Sequence, residues 1–174
     1  MNERRCASPR PAGNGHARSY TKSVLSDILV DTNVLVYIYD PRDLTKQAQA
    51  NLVVDGLIEN ERAAVSVQCL TEFFRTVRWR LPEPLSPDQA LMRVAHLSRA
   101  CRVLNLTPSV VIEACRASND YQMSIWDALI WAAAKLNQVR HVLTEDAEHN
   151  HVLEGVRFLN PFHQDFDMAL LRVS

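Results

Sequence analysis

Four acids stand where this chain would bring chemistry together: Asp31, Glu72, Asp127 and Asp146. Asp31 ends the apolar run Ile28-Leu29-Val30 and is followed by Thr32-Asn33 and a second apolar run from Val34 to Tyr39. That pattern is a short buried strand, a stop at a carboxylate and a helix starting at once. Ligands of open α/β sheets bind just past the carboxyl ends of strands, so Asp31 is either a strand-end ligand or the N-cap of the following helix. Glu72 lies in the helix after the second strand, on the flank of the apolar positions Leu70, Phe73, Phe74 and Val77; taken alone, it is an early-turn glutamate favoured by the helix dipole. Ser124-Ile125-Trp126-Asp127 fits a capping box. The apolar run 128–134 that follows marks a buried helix, at whose mouth an ionised carboxylate is costly unless a cation or several donors meet it. Asp146 leaves the strand that ends Val142-Leu143-Thr144; a turn-forming Asp is the structural alternative, and neighbouring Glu145 is expected to point the other way.

The pattern of acids at or just past successive strand ends says more than any one of them. At a separation of ~4 Å and an effective dielectric near 20, two carboxylates repel by about 4 kcal/mol. Four converging acids resist joint ionisation unless a divalent cation opposes them, and all-oxygen ligation selects Mg²⁺ or Mn²⁺ over zinc. Acid/base chemistry by a carboxylate pair leaves the other two unexplained.

The elements that must position these acids alternate along the chain. Strand candidates are residues 28–31, 63–67, 102–106, 142–144 and 156–159. Helix candidates are 34–39, 44–59, a segment marked by Leu70, Phe73, Phe74, Val77 and Leu81, then 87–99 with Ser86 as N-cap, one opened by Thr107-Pro108, and 124–137. Strands separated by helices require crossover connections, hence a compact three-layer α/β domain with a central parallel sheet of four or five strands flanked by helices. The stretch 81–87, with three prolines, is the clearest internal loop.

At 174 residues, 47% apolar and 22% charged, the chain has the size and composition of one globular domain, read here as residues 24–174. No apolar run reaches the ~18 residues needed to span a bilayer. Residues 1–23 read as a disordered basic tail, and the sequence also allows a native start near Val24 or Leu25. Residues 1–22 carry Arg4, Arg5, Arg10, Arg18 and Lys22 against Glu3 alone, a net of +4, which leaves −5 for the rest of a chain whose total is −1. An acidic body acts on nucleic acid through a local site rather than through bulk charge. Cys6, Cys69, Cys101 and Cys115 form no C-x-x-C pair; the last three lie in apolar-periodic segments and read as buried free thiols of a cytoplasmic protein. With Gly56 and Gly155 the sole glycines beyond the tail, no nucleotide-binding glycine loop can be built.

Asp31-Thr32-Asn33-Val34-Leu35, Thr71-Glu72, Ser124-x-x-Asp127-Ala128-Leu129-Ile130 and Thr144-Glu145-Asp146 resemble the spaced motifs of PIN-domain ribonucleases, and within them the VapC-type toxins of toxin–antitoxin pairs. The resemblance runs over residues 27–162. It implies an Mg²⁺- or Mn²⁺-dependent endoribonuclease in which Asp31, Glu72, Asp127 and Asp146 bind the metal, with Asn33 and Thr144 as polar positions beside it. It further implies a cognate antitoxin that blocks the site, and a homodimer. The family usually carries a glycine soon after the last acid; here Asp146 is followed by Ala-Glu-His-Asn-His.

Two rivals stay open at this level. A phosphatase of the haloacid-dehalogenase type also places an Asp after its first strand but needs a second Asp two residues on, where this chain has Asn33. A non-catalytic PIN-like binding module would ordinarily have lost some of the four acids. His149 and His151 lack further zinc ligands and are expected to face solvent; Arg75, Arg78 and Arg80 are either phosphate-gripping residues or a solvated helix face.

Overall fold

The structure is a computed structural model that describes residues 27–171. The expectations for residues 1–23 and for Cys6 lie outside the described residues. Along β1 (Ile28–Val30), Ile28 and Val30 enter one core and Leu29 the other, as a period of two requires of a sheet buried on both faces. The same division recurs in β2 (Ala63–Ser66), where Ala63 and Val65 oppose Ala64, and in β4 (His141–Leu143) and β6 (Val156–Leu159), where Leu143 and Leu159 oppose Val142 and Phe158. With β3 (Arg102–Leu104) and β5 (Val152–Leu153) these strands make one six-stranded sheet in the order β3-β2-β1-β4-β6-β5. All neighbours are parallel except β5 and β6.

The helices α1 (Thr32–Tyr37), α2 (Leu44–Glu59), α3 (Val67–Trp79) and α4 (Pro87–Ala100) supply one core, with the segment carrying Phe162, Phe166 and Met168 packed against it. Helices α5 (Pro108–Tyr121) and α6 (Ile125–Leu136) supply the other. Trp131 of α6 is fully buried there, and its Nε1 donates to the Leu153 carbonyl at 3.1 Å, tying the edge hairpin to the helix layer. Burying a side chain of that size contributes on the order of 2–3 kcal/mol. The three-layer α/β architecture expected of the sequence is present.

Its boundaries differ where capping overrides strand pattern. Asp31 and Ser66 are N-caps, so β1 and β2 stop one residue earlier than expected, and α1 starts at Thr32 and ends at Tyr37 rather than spanning 34–39. Strand β3 likewise ends at Leu104, and Thr144 lies beyond β4. The antiparallel β5 is an addition to the expected strands: a two-residue strand joined to β6 by Glu154-Gly155, with φ of 44° and 86°. Positive φ at both turn residues matches the right-handed twist of a hairpin, and Gly155 takes its position without strain. Of the described cysteines, Cys69 and Cys101 are buried and free as expected, whereas Cys115 is exposed.

Candidate active site

The sheet sets the site through its register. Val30 pairs with Leu143, and the Asp31 amide donates to the Leu143 carbonyl at 3.0 Å, so β1 and β4 end level and deliver Asp31 and Thr144 side by side. Asp31 is 5% exposed. Its Oδ1 accepts from the Thr32 amide at 2.5 Å, closing the N-terminus of α1. Its Oδ2 accepts from the Thr144 hydroxyl at 2.7 Å and from Asn33 Nδ2 at 3.2 Å. Burial pushes the Asp31 carboxyl up to about 7; hydrogen bonds from Thr144 and Thr32 pull the other way, and the charges of Asp146 and Asp127 add to the rise.

Asn33 Nδ2 also lies 3.0 Å from Thr144 Oγ1 and 3.0 Å from Asp146 Oδ2, making it the hub between the two strand ends. Its Oδ1 is buried and has no hydrogen-bond partner. Thr144 Oγ1 accepts from the Asp146 amide at 3.2 Å, which shapes the exit of β4. Glu145 points away, to Lys46 Nζ at 2.6 Å, and Lys46 in turn donates to the Tyr37 hydroxyl at 3.1 Å. The loop after Asp146 finds its left-handed residue in Asn150 (φ 67°), a residue type that tolerates this conformation.

Glu72 sits in the second turn of α3 rather than at its start, so the helix dipole does not account for it. Its Oε2 accepts from the Thr32 hydroxyl at 3.4 Å and its Oε1 from Gln68 Nε2 at 3.1 Å. Asp127 is the third residue of α6: Ser124 Oγ accepts from its amide at 3.2 Å and donates to its Oδ2 at 2.8 Å. The expected burial of this carboxylate is corrected. The helix is buried at Ala128 and over residues 130–134, but Asp127 itself is half-exposed.

Asp31, Asn33, Glu72, Asp127 and Asp146 line one cleft of about 350 Å³. A second cavity of about 540 Å³ shares Asp31, Asp127 and Asp146 and extends to Tyr121, Met123, Leu153 and Phe158. The acids therefore form a waist between a polar cleft and a more apolar one. The apolar side escapes sequence reasoning because its residues lie far apart in the chain. Among the described residues no three His, Cys, Asp or Glu side chains close up into a ready cage for an ion. The donors nonetheless suit a hard cation: they are all oxygen, no basic side chain is hydrogen-bonded to Asp31, Asp127 or Asp146 among the described residues, and the orphaned Asn33 Oδ1 is a further neutral oxygen.

His149 and His151 behave differently from expectation. His149 is half-buried, stacks on His163 at 4.6 Å between centroids, and accepts from the Asn160 amide at 3.1 Å through Nδ1; only His151 is exposed.

Fold and site together define a parallel α/β domain that gathers acids at the carboxyl edge of its sheet. The PIN domain family model matches residues 28–154, and the chain belongs to that family, whose members are usually nucleases. Solved structures of similar fold include a toxin–antitoxin complex from Klebsiella pneumoniae (16% identity, 78% of this chain and 98% of that chain, TM-score 0.59). VapC20 of Mycobacterium tuberculosis, described as a sarcin–ricin loop cleaving toxin, is similar over 67% of this chain and 87% of that chain (18% identity, TM-score 0.54). DNA-bound VapBC from Salmonella typhimurium is similar over 76% and 96% (16% identity, TM-score 0.57). Among curated proteins, none matches the chain significantly in sequence. Among the described residues no helix is long and apolar enough to cross a membrane.

Proposed function

We propose that this protein is an Mg²⁺- or Mn²⁺-dependent endoribonuclease, acting in the cytoplasm as the toxin of a toxin–antitoxin pair. The observation that carries the reading is a buried strand-end carboxylate, Asp31, with no basic partner among the described residues and three further acids on the same cleft. Asp31, Asp127 and Asp146 would hold the ion, with Glu72 completing the set directly or through water. When bound, a divalent ion supplies Lewis acidity: it acidifies the attacking water and offsets charge on the leaving oxygen.

The chain's own groups do the rest. Thr144 and Asn33 fix Oδ2 of Asp31, so that the carboxylate cannot swing out of the cleft. Asn33 spans Asp31 and Asp146 and holds the two strand ends at one spacing. Glu72 is kept in place by Thr32 and Gln68 and faces the cleft from the opposite helix. Asn33 also argues against the phosphatase rival, since an amide at this position cannot trade a proton. The toxin–antitoxin part of the reading is supported by the neighbours that carry this pairing in their names. It includes a cognate antitoxin segment covering the cleft and a homodimer in solution.

The test is metal dependence. Full-length protein incubated with RNA should produce shorter fragments in Mg²⁺ or Mn²⁺ and none in EDTA. Cleavage that persists at the same rate in EDTA would refute a metal-dependent site.

A further inference from the structure

The geometry points to a second substrate-binding element: a trough between α3 and the first turn of α6 that takes an unpaired RNA strand, its phosphates on Arg75 and Arg80 and a base on Trp126. This rests on the nuclease reading above. The trough encloses about 650 Å³ and is lined by Glu72, Arg75, Arg80, Leu106 and Trp126 among others. Glu72 and Trp126 also line the acid cleft, so the two are continuous and a strand leaving the acids enters the trough directly.

Three observations favour RNA over a protein partner. First, the charge is uncommitted. Arg78 of the same helix donates to the Leu85 carbonyl at 2.5 Å and lies over the Trp79 ring, whereas Arg75 and Arg80 are exposed and, among the described residues, in no ion pair. Two free guanidiniums in a body that is acidic overall make a local anion-binding stripe beside the acids. Second, Trp126 is 59% exposed although it directly precedes Asp127, and it is one of the residues lining the trough. Third, the backbone that carries Trp126 is tied to α3: Gln68 Nε2 donates both to the Trp126 carbonyl at 3.3 Å and to Glu72 Oε1 at 3.1 Å, joining the start of α6 to α3. An exposed aromatic beside free guanidiniums is the chemistry that binds a strand with splayed-out bases, whereas bases stacked within a duplex offer no free face.

The experiment titrates the full chain, in EDTA to prevent turnover, with a short fluorescein-labelled RNA strand and with the same strand annealed to its complement. The single strand should bind more tightly than the duplex and quench tryptophan fluorescence, and Trp126→Ala should abolish most of that quench. Arg75→Gln/Arg80→Gln should weaken binding by about tenfold and flatten the log Kd against log salt slope by about 1.4, the loss of two single-strand phosphate contacts at about 0.7 each. Arg75→Lys/Arg80→Lys should restore the slope, which separates lost charge from lost structure. An unchanged slope and affinity in the Gln variant, or equal binding of duplex and single strand, overturns the trough. So does a Gln variant that binds the strand normally but loses self-association, which would assign the face to a protein. Cleavage in Mg²⁺ is scored separately: cleavage with unaltered strand binding retains the nuclease and removes the trough, while altered binding without cleavage retains the trough and removes the nuclease.

Discussion

Oδ1 of Asp31 closes the start of α1 through the Thr32 amide while Oδ2 takes Thr144 and Asn33, so the capping role uses one oxygen and is compatible with the ligand role proposed for this carboxylate. Burial works against the charged form and pushes this carboxyl up to about 7. Replacing it with Asn removes that charge and keeps a good N-cap. In EDTA, Asp31→Asn should therefore melt no lower than the parent. Mg²⁺ at about 100 times its Kd should stabilise the parent by about 2.7 kcal/mol, a rise of roughly 5–10 °C for a domain of this size, and should leave the variant almost unmoved. Differential scanning fluorimetry measures both. A parent whose melting temperature Mg²⁺ leaves unmoved, or a variant that gains as much as the parent, would remove the ion from Asp31.

At the scale of elements, the edge hairpin is held by a network that reaches across the α5–α6 layer. Lys135 of α6 donates to Glu113 at 2.6 Å and to Glu154 in the hairpin turn, and Arg116 of α5 bonds Glu113 at 2.8 Å and Glu154 at 2.9 Å. The hydrogen bond from Arg116, then that from Lys135, holds Glu113 at about 2; Lys135 first, with Tyr121, holds Glu154 at about 2. Both folded values lie below the ordinary glutamate value of 4.5, so the network's contribution is fully present above that pH and is lost as pH falls toward 2. The melting temperature should drop across this window, modestly because the groups are solvent-accessible, and Glu113→Gln/Glu154→Gln should flatten the drop. An identical pH profile in the double variant would mean the network does not stabilise the fold. Neither this network nor β5 was legible in the sequence, since a strand of two residues has no period and its partners are far apart in the chain. What was legible followed from repetition: the alternating strands, the helices between them, and Asp31 and Asp146 just past strand ends, whereas Glu72 and Asp127 stand on helices, Asp127 on one that follows another helix. Errors arose where one residue belongs to two elements, as with Asp31 and Ser66 at strand exits that are also caps. Asp127 is more exposed than its sequence context suggests because the apolar run begins one residue after it, beyond the exposed first turn of α6.

For the molecule as a whole, the parallel sheet brings acids from four segments to one edge, and an acidic body surrounds them. Such a body repels a polyanion, so under the proposed function the free guanidiniums supply local compensation for binding and a cation among the acids supplies it for cleavage. The proposed activity therefore depends on charge at a single place. Its most direct test is the rate of RNA cleavage in Mg²⁺ by the full-length protein and by Asp31→Asn, purified identically and matched for fold by circular dichroism. Loss of a residue that only supports a metal ligand commonly costs about 10–100-fold, so loss of the ligand itself should exceed about 100-fold. A variant that cleaves RNA as fast as the parent would contradict the site.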